Sequence, residues 1–380
     1  MNDLIYQKWY FARPALAHRI MRLLMDGPGD PLALLGERRI GKTSLLLFEL
    51  MQLARQQGLL PVYVDIVQHR ADPLAAINYA LQEAIDDLTV PDSTLGKRLK
   101  TSIKKIGLAS TALELGDEPA RRRPDDPFLL ADWLIKSLLR VAKKPLLLIF
   151  DEIQELATVS NGENIVSAIR SAITKSKNNV RVVFTGSSPD KLLALFSRSR
   201  AALYEGASTM PFPYLGDDFI AHIAKLSKER FKKRVAVSDL AQAYARLHHQ
   251  PRALIDLVLL FSSSVGESLI ALLNERVERQ LTGAQYDTLW HSLKPLQQRI
   301  CSRIARGGDV TSGEARAAYA AGSDKPEVPA GTVNDALRAL VGTHILTKSS
   351  EGRIRYRIDD PLFAEWLRRE GDALSGRGKR

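Results

Sequence analysis

The segment GERRIGKT, residues 36–43, constrains the fold of this chain more than any other stretch. Apolar LALL (32–35) precedes it and apolar SLLLFEL (44–50) follows it, which predicts a buried strand, a tight turn and a helix. Its glycines, lysine and threonine have the spacing G-x-x-x-x-G-K-S/T of a phosphate-binding loop. The alternative, a glycine-containing turn without a ligand, is disfavoured by the apolar strand and helix on either side.

Each residue type in this loop has a chemical reason. Glycine allows positive φ angles that turn successive backbone N–H groups inward, and the helix that starts near Lys42 contributes its positive dipole end. We expect Lys42 to reach the β- and γ-phosphates of ATP, and the Thr43 hydroxyl to ligate Mg²⁺. The predicted nucleotide-binding residues of the loop are Gly36, Glu37, Arg38, Arg39, Ile40, Gly41, Lys42, Thr43 and Ser44.

A second apolar segment, PLLLIFDE at residues 145–152, ends in two carboxylates. This pattern is typical of a buried parallel strand whose carboxyl end lies where ligands bind. We expect Asp151 to hold Mg²⁺ through water and Glu152 to polarise the water that attacks the γ-phosphate. An Asp-Glu pair after a strand can also simply begin a helix, but the phosphate loop upstream favours the catalytic interpretation. The sequence therefore predicts hydrolysis of ATP to ADP and phosphate.

Composition limits the class of protein. The chain has 380 residues, 45% hydrophobic and 26% charged, which is enough for two or three packed domains. A single cysteine, Cys301, excludes an internal disulfide framework. No apolar run reaches the roughly 20 residues of a membrane span and the first residues lack a signal-peptide pattern, so we expect a cytoplasmic protein without a membrane partner.

The net charge of the chain indicates what kind of partner it binds. The formal net charge of +11 favours a polyanionic partner, nucleic acid before a membrane surface. Charge alone is weak support, because many basic proteins bind no DNA.

Strands alternate with helices up to about residue 212, which predicts an α/β fold with an open parallel sheet and right-handed crossovers. The predicted strands are 32–35, 59–67, 145–152 and 179–188. Residues 90–127 interrupt the alternation with Pro, Gly and charge clusters and form a basic insertion. Beyond the sheet, residues 215–283 are predicted to be helical, residues 284–370 to contain helices and a strand pair, and residues 371–380 to form a basic tail.

These elements, in this order, resemble the AAA+-related ATPases of the archaeal-ATPase and STAND type over most of the chain. GERRIGKTSLL is close to the family's phosphate loop, and LLLIFDEIQEL to its Walker B strand. YFARPALAHRIMRLL (10–24) resembles the opening F-x-x-R element beside the adenine, which implies nucleotide contacts for Phe11 and Arg13, although Ala12 and Pro14 depart from the usual Gly and Glu. The resemblance implies a P-loop NTPase (AAA+-like) core of residues 1–214, a helical lid of 215–283 and a winged-helix domain of 284–370.

The fourth strand, VVFTGSS, resembles the family's sensor strand. The resemblance implies that Thr185, Ser187 or Ser188 contacts the γ-phosphate or the attacking water; a polar strand end that caps the next helix is the alternative. LFSRSRAALY lies where oligomeric relatives carry the arginine that reaches a neighbouring subunit's γ-phosphate. Arg198 and Arg200 are therefore candidates for that role, or else solvated surface arginines.

The segment HHQPRAL (248–254) lies where the lid helix of AAA+ proteins carries a sensor arginine. Pro251 stands in that arginine's place, which is more similar to the Gly-x-Pro element of STAND proteins, with His248 at the glycine position. Arg252 is adjacent and is the candidate substitute for the sensor arginine.

The C-terminal part resembles a winged helix, with three helices, a hairpin turning near residues 351–352 and the closing segment DDPLFAEWL. In one interpretation the third helix enters the DNA major groove and the wing residues Lys348, Arg353 and Arg355 contact phosphates. In the other, the module packs on the ATPase core or binds protein. The third helix carries little positive charge. Arg338 and Asn334 are its candidates for contacting bases, and the negative charge of Asp335 counteracts such contacts.

Two lysine-rich segments carry more charge than this helix. KRLKTSIKK (97–105) places Lys97, Arg98, Lys100, Lys104 and Lys105 in the basic insertion, and KLSKERFKKR (225–234) lies in the predicted lid. Several subunits assembled around a duplex would track phosphates with such segments, whereas solvated helix faces are the ordinary alternative.

Two function classes follow from these features. The first is a Mg²⁺-dependent ATPase that acts as a conformational switch, homo-oligomerises on ATP and assembles on DNA. The second is a STAND-like signalling or antiphage-defence switch that recruits a protein effector without touching DNA.

Overall fold

The computed structural model describes residues 8–27, 29–89, 123–187, 207–282, 284–321, 326–348 and 356–376. The chain divides into two compact units. The first, which we call the α/β unit, comprises Ala12–Gly36 and Lys42–Phe212. The second, the helical unit, comprises Met1–Phe11, Glu37–Gly41 and Pro213–Arg380. The predicted insertion at 90–127 lies outside the described residues except for its last few positions.

The described helices and strands of the α/β unit alternate as the sequence predicts. In chain order they are α1 (Pro14–Asp26), β1 (Leu32–Leu35), α2 (Lys42–Leu45, continuing as a π-helix over Leu46–Leu50 and an α-helix over Met51–Gln56), β2 (Leu60–Asp65), a 3₁₀ helix (Ile66–His69), α3 (Pro73–Thr89), α4 (Pro127–Ala142), β3 (Leu146–Asp151), a second 3₁₀ helix (Ile153–Thr158), α5 (Gly162–Lys175), β4 (Val180–Gly186) and β5 (Ser208–Pro211).

The five strands form one parallel sheet in the order β2-β3-β4-β1-β5. All six residues of β3 are buried, because helices cover both faces of a parallel sheet and its central strands therefore read as continuous apolar runs. The register sets Asp65 beside Asp151 at the carboxyl edge, where strand ends meet. The strand edge that the sequence assigns to a ligand is thus built by β1, β3 and β4, which are neighbours in the sheet.

Local sequence explains two helix starts. Asp126 precedes α4, and its carboxylate accepts hydrogen bonds from the N–H groups of Phe128 and Leu129 at 2.8 and 3.0 Å. Asp72 precedes α3 and accepts the Ala75 N–H at 3.1 Å, as expected of an acidic residue before a helix that begins with proline. These caps fix where the crossover helices begin, and so place the strands between them.

The helical unit follows from residue 213. Its described elements are α6 (Asp217–Phe231), α7 (Val237–Arg246), α8 (Pro251–Ser263), α9 (Leu269–Thr282), α10 (Ala284–Ser292), α11 (Pro295–Ala305), α12 (Gly313–Tyr319), α13 (Ala330–Gly342), β6 (Leu346–Lys348), β7 (Tyr356–Ile358) and α14 (Pro361–Gly376). Strands β6 and β7 pair antiparallel, as the predicted strand pair requires.

The described residues of this unit form two apolar cores. One contains residues of α6–α9, and the other contains residues of α10–α14 and the β6–β7 pair. Trp9 is 1% exposed in the first of these cores and stacks on Phe231 at a centroid distance of 5.9 Å. The N-terminal residues just before α1 therefore pack with the helices of this unit. Within the described part of the chain, no helix is long and apolar enough to cross a bilayer.

Candidate functional site

The loop between β1 and α2, which the sequence predicts to bind phosphate, contains two residues with a left-handed backbone. Arg39 and Gly41 have φ angles of 64° and 94°, in the left-handed region. Lys42 is 5% exposed at the start of α2, and its ammonium donates a hydrogen bond to the Gly36 carbonyl at 2.7 Å. The predicted phosphate contact of Lys42 would require its ammonium to exchange this carbonyl for phosphate oxygens.

The Asp151 carboxylate receives hydrogen bonds on both oxygens. Its Oδ2 accepts the Thr43 hydroxyl at 2.7 Å and the Tyr63 hydroxyl at 2.8 Å. Its Oδ1 accepts the Thr185 hydroxyl and, at 3.1 Å, the Glu152 N–H. Burial, followed by the negative charge of Asp151, raises the pKa of Tyr63, so the phenol keeps the proton that it donates. Four donors thus fix the orientation of a carboxylate that is 3% exposed.

These residues suit a hard divalent cation. A threonine hydroxyl and a carboxylate oxygen 2.7 Å apart are the oxygen ligands that Mg²⁺ prefers, with water and phosphate oxygens completing its shell. The donor set therefore fits Mg²⁺ bound together with a nucleotide.

Glu152 follows β3 in a left-handed conformation, with a φ of 58°. Such a backbone is unfavourable for a residue with a side chain and is found where surrounding structure enforces it, often at functional sites. Its Oε2 accepts the Ser187 hydroxyl at 2.6 Å, the Ser187 N–H at 3.2 Å and the Gln154 amide. Gln154, 1% exposed, also donates to the Ser187 hydroxyl at 3.3 Å. The carboxylate predicted to activate water is therefore held at the carboxyl end of β4.

The loop residue Glu37 has an ion pair that the sequence did not predict. Its carboxylate, 2% exposed, pairs with the guanidinium of Arg357 in β7, whose side chain is 18% exposed. Both residues belong to the helical unit. The pair joins Glu37, which follows β1, to β7 within the helical unit.

The predicted adenine-side residues have definite contacts. The Arg13 guanidinium lies over the Phe212 ring, 4.4 Å from its centroid, and the Arg13 backbone N–H donates to both carboxylate oxygens of Glu49 at 2.8 and 2.9 Å. Because Glu49 lies in the π-helical part of α2, this bond links the start of α1 to the helix that carries Lys42. Phe11 makes edge contacts with Phe219 and His222 in the helical unit.

The HHQP segment has an unusual backbone. His248 and His249 both have positive φ angles, 51° and 53°, so His248 adopts the conformation for which glycine is favoured at this position. Pro251 is the first residue of α8, and Arg252 follows it with an exposed side chain. Burial, followed by the charges of Arg368 and His249, lowers the pKa of His248 to about 4.

Several predicted residues lie outside the described residues. These are Ser188, Arg198, Arg200, Arg353, Arg355 and the basic segment 97–105, and the side chain of Lys348 is likewise not described. Arg338 in α13 is described: it pairs with Asp335 on the same exposed face, which reduces the positive charge that this helix presents. Asn334 lies on that exposed face as well.

Sequence reasoning missed Tyr63 and Gln154 in the α/β unit, and Arg357, which pairs with Glu37 in the helical unit. Tyr63 could have been found as a hydroxyl in a strand that pairs with the Asp151 strand two positions before the shared edge. Gln154 left a weaker signal, an amide two positions after the second carboxylate. Arg357 left none, because only the tertiary structure brings residue 357 to residue 37.

Comparison with solved structures agrees with this architecture. The chain is similar to a Walker-type ATPase of Pyrococcus abyssi, at a TM-score of 0.60 and 18% identity over 94% of this chain and 96% of that one. It is also similar to the ORC2 protein of Aeropyrum pernix in its ADPNP and ADP complexes, at a TM-score of 0.53 and 15% identity over 95% and 93%.

The sequence matches no protein-family model and no curated protein. The structural likeness shows the fold: a five-stranded parallel sheet with surrounding helices, arranged as in the P-loop NTPase (AAA+-like) fold, and a helical C-terminal part. The predicted α/β fold class, with a parallel-sheet core and a helical C-terminal part, is thereby confirmed, whereas the lid and winged-helix assignments stay predictions.

Proposed function

We propose that this protein is a Mg²⁺-dependent ATPase that uses ATP hydrolysis as a conformational switch. The observation that carries the proposal is the Asp151 carboxylate, which accepts the Thr43 hydroxyl at 2.7 Å beside the buried Lys42. Lys42 and the loop N–H groups of residues 36–44 bind the phosphates in this proposal. Thr43 and Asp151 hold the metal, directly and through water respectively.

Glu152 is the residue that activates water. A carboxylate at the end of the Walker B strand accepts a proton as the water oxygen bonds to the γ-phosphorus and the bond to the β–γ bridging oxygen breaks, leaving ADP and phosphate. Bound Mg²⁺ neutralises charge on the phosphate oxygens. Ser187 and Gln154 act through Glu152, because both donate to its Oε2.

The remaining site roles are also part of the proposal. Phe11 and Arg13 contact the adenine side, Pro251 and Arg252 serve as the lid element, and Arg198 or Arg200 reaches the nucleotide of a neighbouring subunit. Residues 1–214 act as the nucleotide-binding core, 215–283 as a lid and 284–370 as a winged helix. Three helices followed by an antiparallel strand pair support the last assignment.

Assembly on DNA is the first candidate output. Its support is the segment 225–234, in which Lys225, Lys228, Arg230, Lys232 and Arg234 are exposed. Lys233 is the exception: its ammonium donates to the Phe261 carbonyl at 2.8 Å and has a structural role. Contacts from such a surface would go to phosphates, with strong salt dependence and little sequence preference.

Recruitment of a protein effector without DNA contact is the second candidate output. The Arg338–Asp335 pair favours it, because the helix expected to read bases presents a neutralised arginine. ATP turnover with and without duplex DNA, at low and at moderate salt, separates the two. Stimulation that fades with salt supports DNA assembly, and turnover indifferent to DNA supports the effector switch.

The ATPase proposal itself is tested with Glu152→Gln. The amide keeps the shape of the side chain but cannot accept the proton, so the variant is expected to bind ATP like wild type and to lose at least 100-fold in turnover, in keeping with the roughly 10²–10⁴-fold contribution of a general base. Glu155→Gln, in the 3₁₀ helix that directly follows Glu152, is the matched control and is expected to keep normal turnover. Normal turnover by Glu152→Gln would remove Glu152 from its proposed role.

A further inference from the structure

One buried acceptor beside the proposed catalytic carboxylate has no donor. The Gln154 side chain is 1% exposed, and its amide nitrogen donates to Glu152 Oε2 and, at 3.3 Å, to the Ser187 hydroxyl. The donor side of the amide is therefore satisfied. The amide oxygen, Oε1, is buried and accepts no hydrogen bond from any residue that the structure describes. Such an atom loses its hydration without a replacement, which is uncommon in folded proteins and is found where a residue has a catalytic role.

The orientation of this amide follows from its neighbours. Turned the other way, Gln154 Oε1 would face Glu152 Oε2, and two acceptors form no hydrogen bond with each other. With the nitrogen on Glu152, the oxygen also lies beside that carboxylate, because both amide atoms are bonded to one carbon. The acceptor without a donor is thus next to the group that we propose to activate water.

The two oxygens of the Glu152 carboxylate have different surroundings. Oε2 accepts the Ser187 hydroxyl at 2.6 Å, the Ser187 N–H at 3.2 Å and the Gln154 amide. Every hydrogen bond that the described residues donate to this carboxylate ends on Oε2. Glu152 is also only half-buried, whereas Gln154 is buried. Oε2 is thus the anchored oxygen, and Glu152 Oε1 is the oxygen that a water molecule can approach.

A water molecule that attacks phosphorus is oriented best by two acceptors. Its lone pair points at the phosphorus when both of its O–H groups are held in other directions, and this alignment lowers the barrier. One carboxylate oxygen holds one O–H group and leaves the water free to turn about that bond. A neutral acceptor beside the carboxylate fixes the remaining rotation. Gln154 Oε1 is such an acceptor, and the terminal torsion of a glutamine is soft enough to turn this atom towards a water on Glu152.

We propose that Gln154 is a second catalytic residue of the ATPase site: its Oε1 accepts one O–H group of the attacking water while Glu152 Oε1 accepts the other. The inference rests on the proposed ATP hydrolysis and deepens it. As the water oxygen bonds to the γ-phosphorus and the bond to the β–γ bridging oxygen breaks, the proton facing Glu152 moves to that carboxylate and later to solvent. The second proton stays on the oxygen as a hydroxyl of the phosphate product.

The test measures ATP turnover and ATP affinity of full-chain Gln154→Met, which keeps the length of the side chain but has neither the amide donor nor the amide acceptor. Turnover is expected to fall at least about tenfold, the order expected when a hydrogen bond to a charged or reacting group is lost, with ATP affinity within about threefold of wild type. Normal turnover would overturn the proposal, and so would a loss of affinity that accounts for the whole loss of turnover.

Gln154→Asn keeps the test decisive if Gln154→Met does not fold. This variant retains an amide but withdraws it by one methylene. It is expected to lose turnover as well, because a misplacement of about 1 Å already disrupts the alignment that attack requires. Normal turnover by Gln154→Asn would likewise overturn the proposal.

A second background separates direct contact with water from action through Glu152. Glu152→Gln still accepts an O–H group with its amide oxygen but cannot take the proton, so its residual rate, measured in single-turnover reactions with enzyme in excess, reports on water orientation. Adding Gln154→Met is expected to lower this residual rate at least about threefold further. An unchanged residual rate would mean that Gln154 acts only through Glu152, and would overturn the direct contact.

Gln82→Met is the matched control. The Gln82 amide donates to the Asp86 carboxylate at 2.8 Å on α3, so this variant removes a comparable bond elsewhere in the α/β unit and is expected to keep normal turnover. A loss equal to that of Gln154→Met would overturn the proposal. The two levels of inference separate as well: if wild type hydrolyses ATP and Glu152→Gln is strongly impaired, while Gln154→Met turns over normally, the proposed function stands and this inference fails.

Discussion

The phenol of Tyr63 offers a sharp test of how hydrogen bonds orient Asp151 for the proposed Mg²⁺ ion. Tyr63→Phe removes one oxygen and keeps the ring in β2, so the main change is the loss of the hydrogen bond to Asp151 Oδ2 at 2.8 Å. A hydrogen bond to a charged group contributes about 1.5 to 3 kcal/mol. Asp151 keeps the Thr43, Thr185 and Glu152 donors, so we expect the low end of that range.

A loss of that size corresponds to roughly tenfold weaker Mg²⁺ binding, in line with the effect of removing an outer hydrogen bond from a metal ligand. The assay is a Mg²⁺ titration of the protein with a fluorescent nucleotide. Nucleotide affinity in EDTA is expected to stay within about twofold of wild type, while the Mg²⁺ concentration for half-maximal tightening rises about tenfold.

Two outcomes would refute this reasoning. If the nucleotide affinity of Tyr63→Phe depends on Mg²⁺ concentration as that of wild type does, the phenol does not orient Asp151 for the metal. If affinity falls equally with and without Mg²⁺, the hydroxyl acts on the fold rather than on the ligand. Tyr79→Phe is the matched control, because the Tyr79 hydroxyl donates to Glu83 at 3.3 Å on an exposed helix face.

Two further predictions concern the helical unit. Burial, Arg368 and His249 hold the pKa of His248 near 4, against the opposing charges of Asp360 and Asp359. The unfolded chain therefore binds a proton at this histidine more readily below about pH 6.5. This group alone lowers the free energy of unfolding by about 2 kcal/mol from pH 7 to pH 5. His248→Asn, which tolerates the same backbone, should reduce that loss in urea unfolding at the two pH values, and an unchanged pH dependence would contradict the assignment. Lys233→Met removes the ammonium that donates to the Phe261 carbonyl near the end of α8, and it should lower the free energy of unfolding by about 1 to 3 kcal/mol. The control Lys228→Met, at an exposed lysine, should change it little, and equal losses in the two variants would show that the carbonyl contact contributes nothing.

The sheet was predictable because its strands are apolar and because two of the helices between them begin after acidic cap residues. The strands at 32–35, 59–67, 145–152 and 179–188 all appear within a residue or two of their predicted bounds. Strand β5 (Ser208–Pro211) was missed because it is short, half polar and at the sheet edge, so it has no apolar run to reveal it. Edge strands bury less, and their sequences are correspondingly less constrained.

The site was predictable where a motif fixes chemistry and spacing together. Lys42, Thr43 and Asp151 follow from two short segments, and the structure brings Thr43 and Asp151 into contact. The residues that orient the carboxylates were not predictable, since donation by Tyr63 and Gln154 depends on strand register and on side-chain direction. The Glu37–Arg357 pair depends on contact between residues 320 positions apart, which no local pattern records.

The most direct test of the central claim is equilibrium binding of ATP, with Mg²⁺ present, to wild type and to Lys42→Ala. The buried ammonium next to the Gly36 carbonyl is the group that the phosphates would engage. The account predicts saturable ATP binding by wild type and loss of at least about 100-fold in affinity in the variant, the order expected when a buried cation that pairs with phosphate is removed. ATP bound equally well by both proteins would contradict the assignment of residues 36–43 as the phosphate-binding loop.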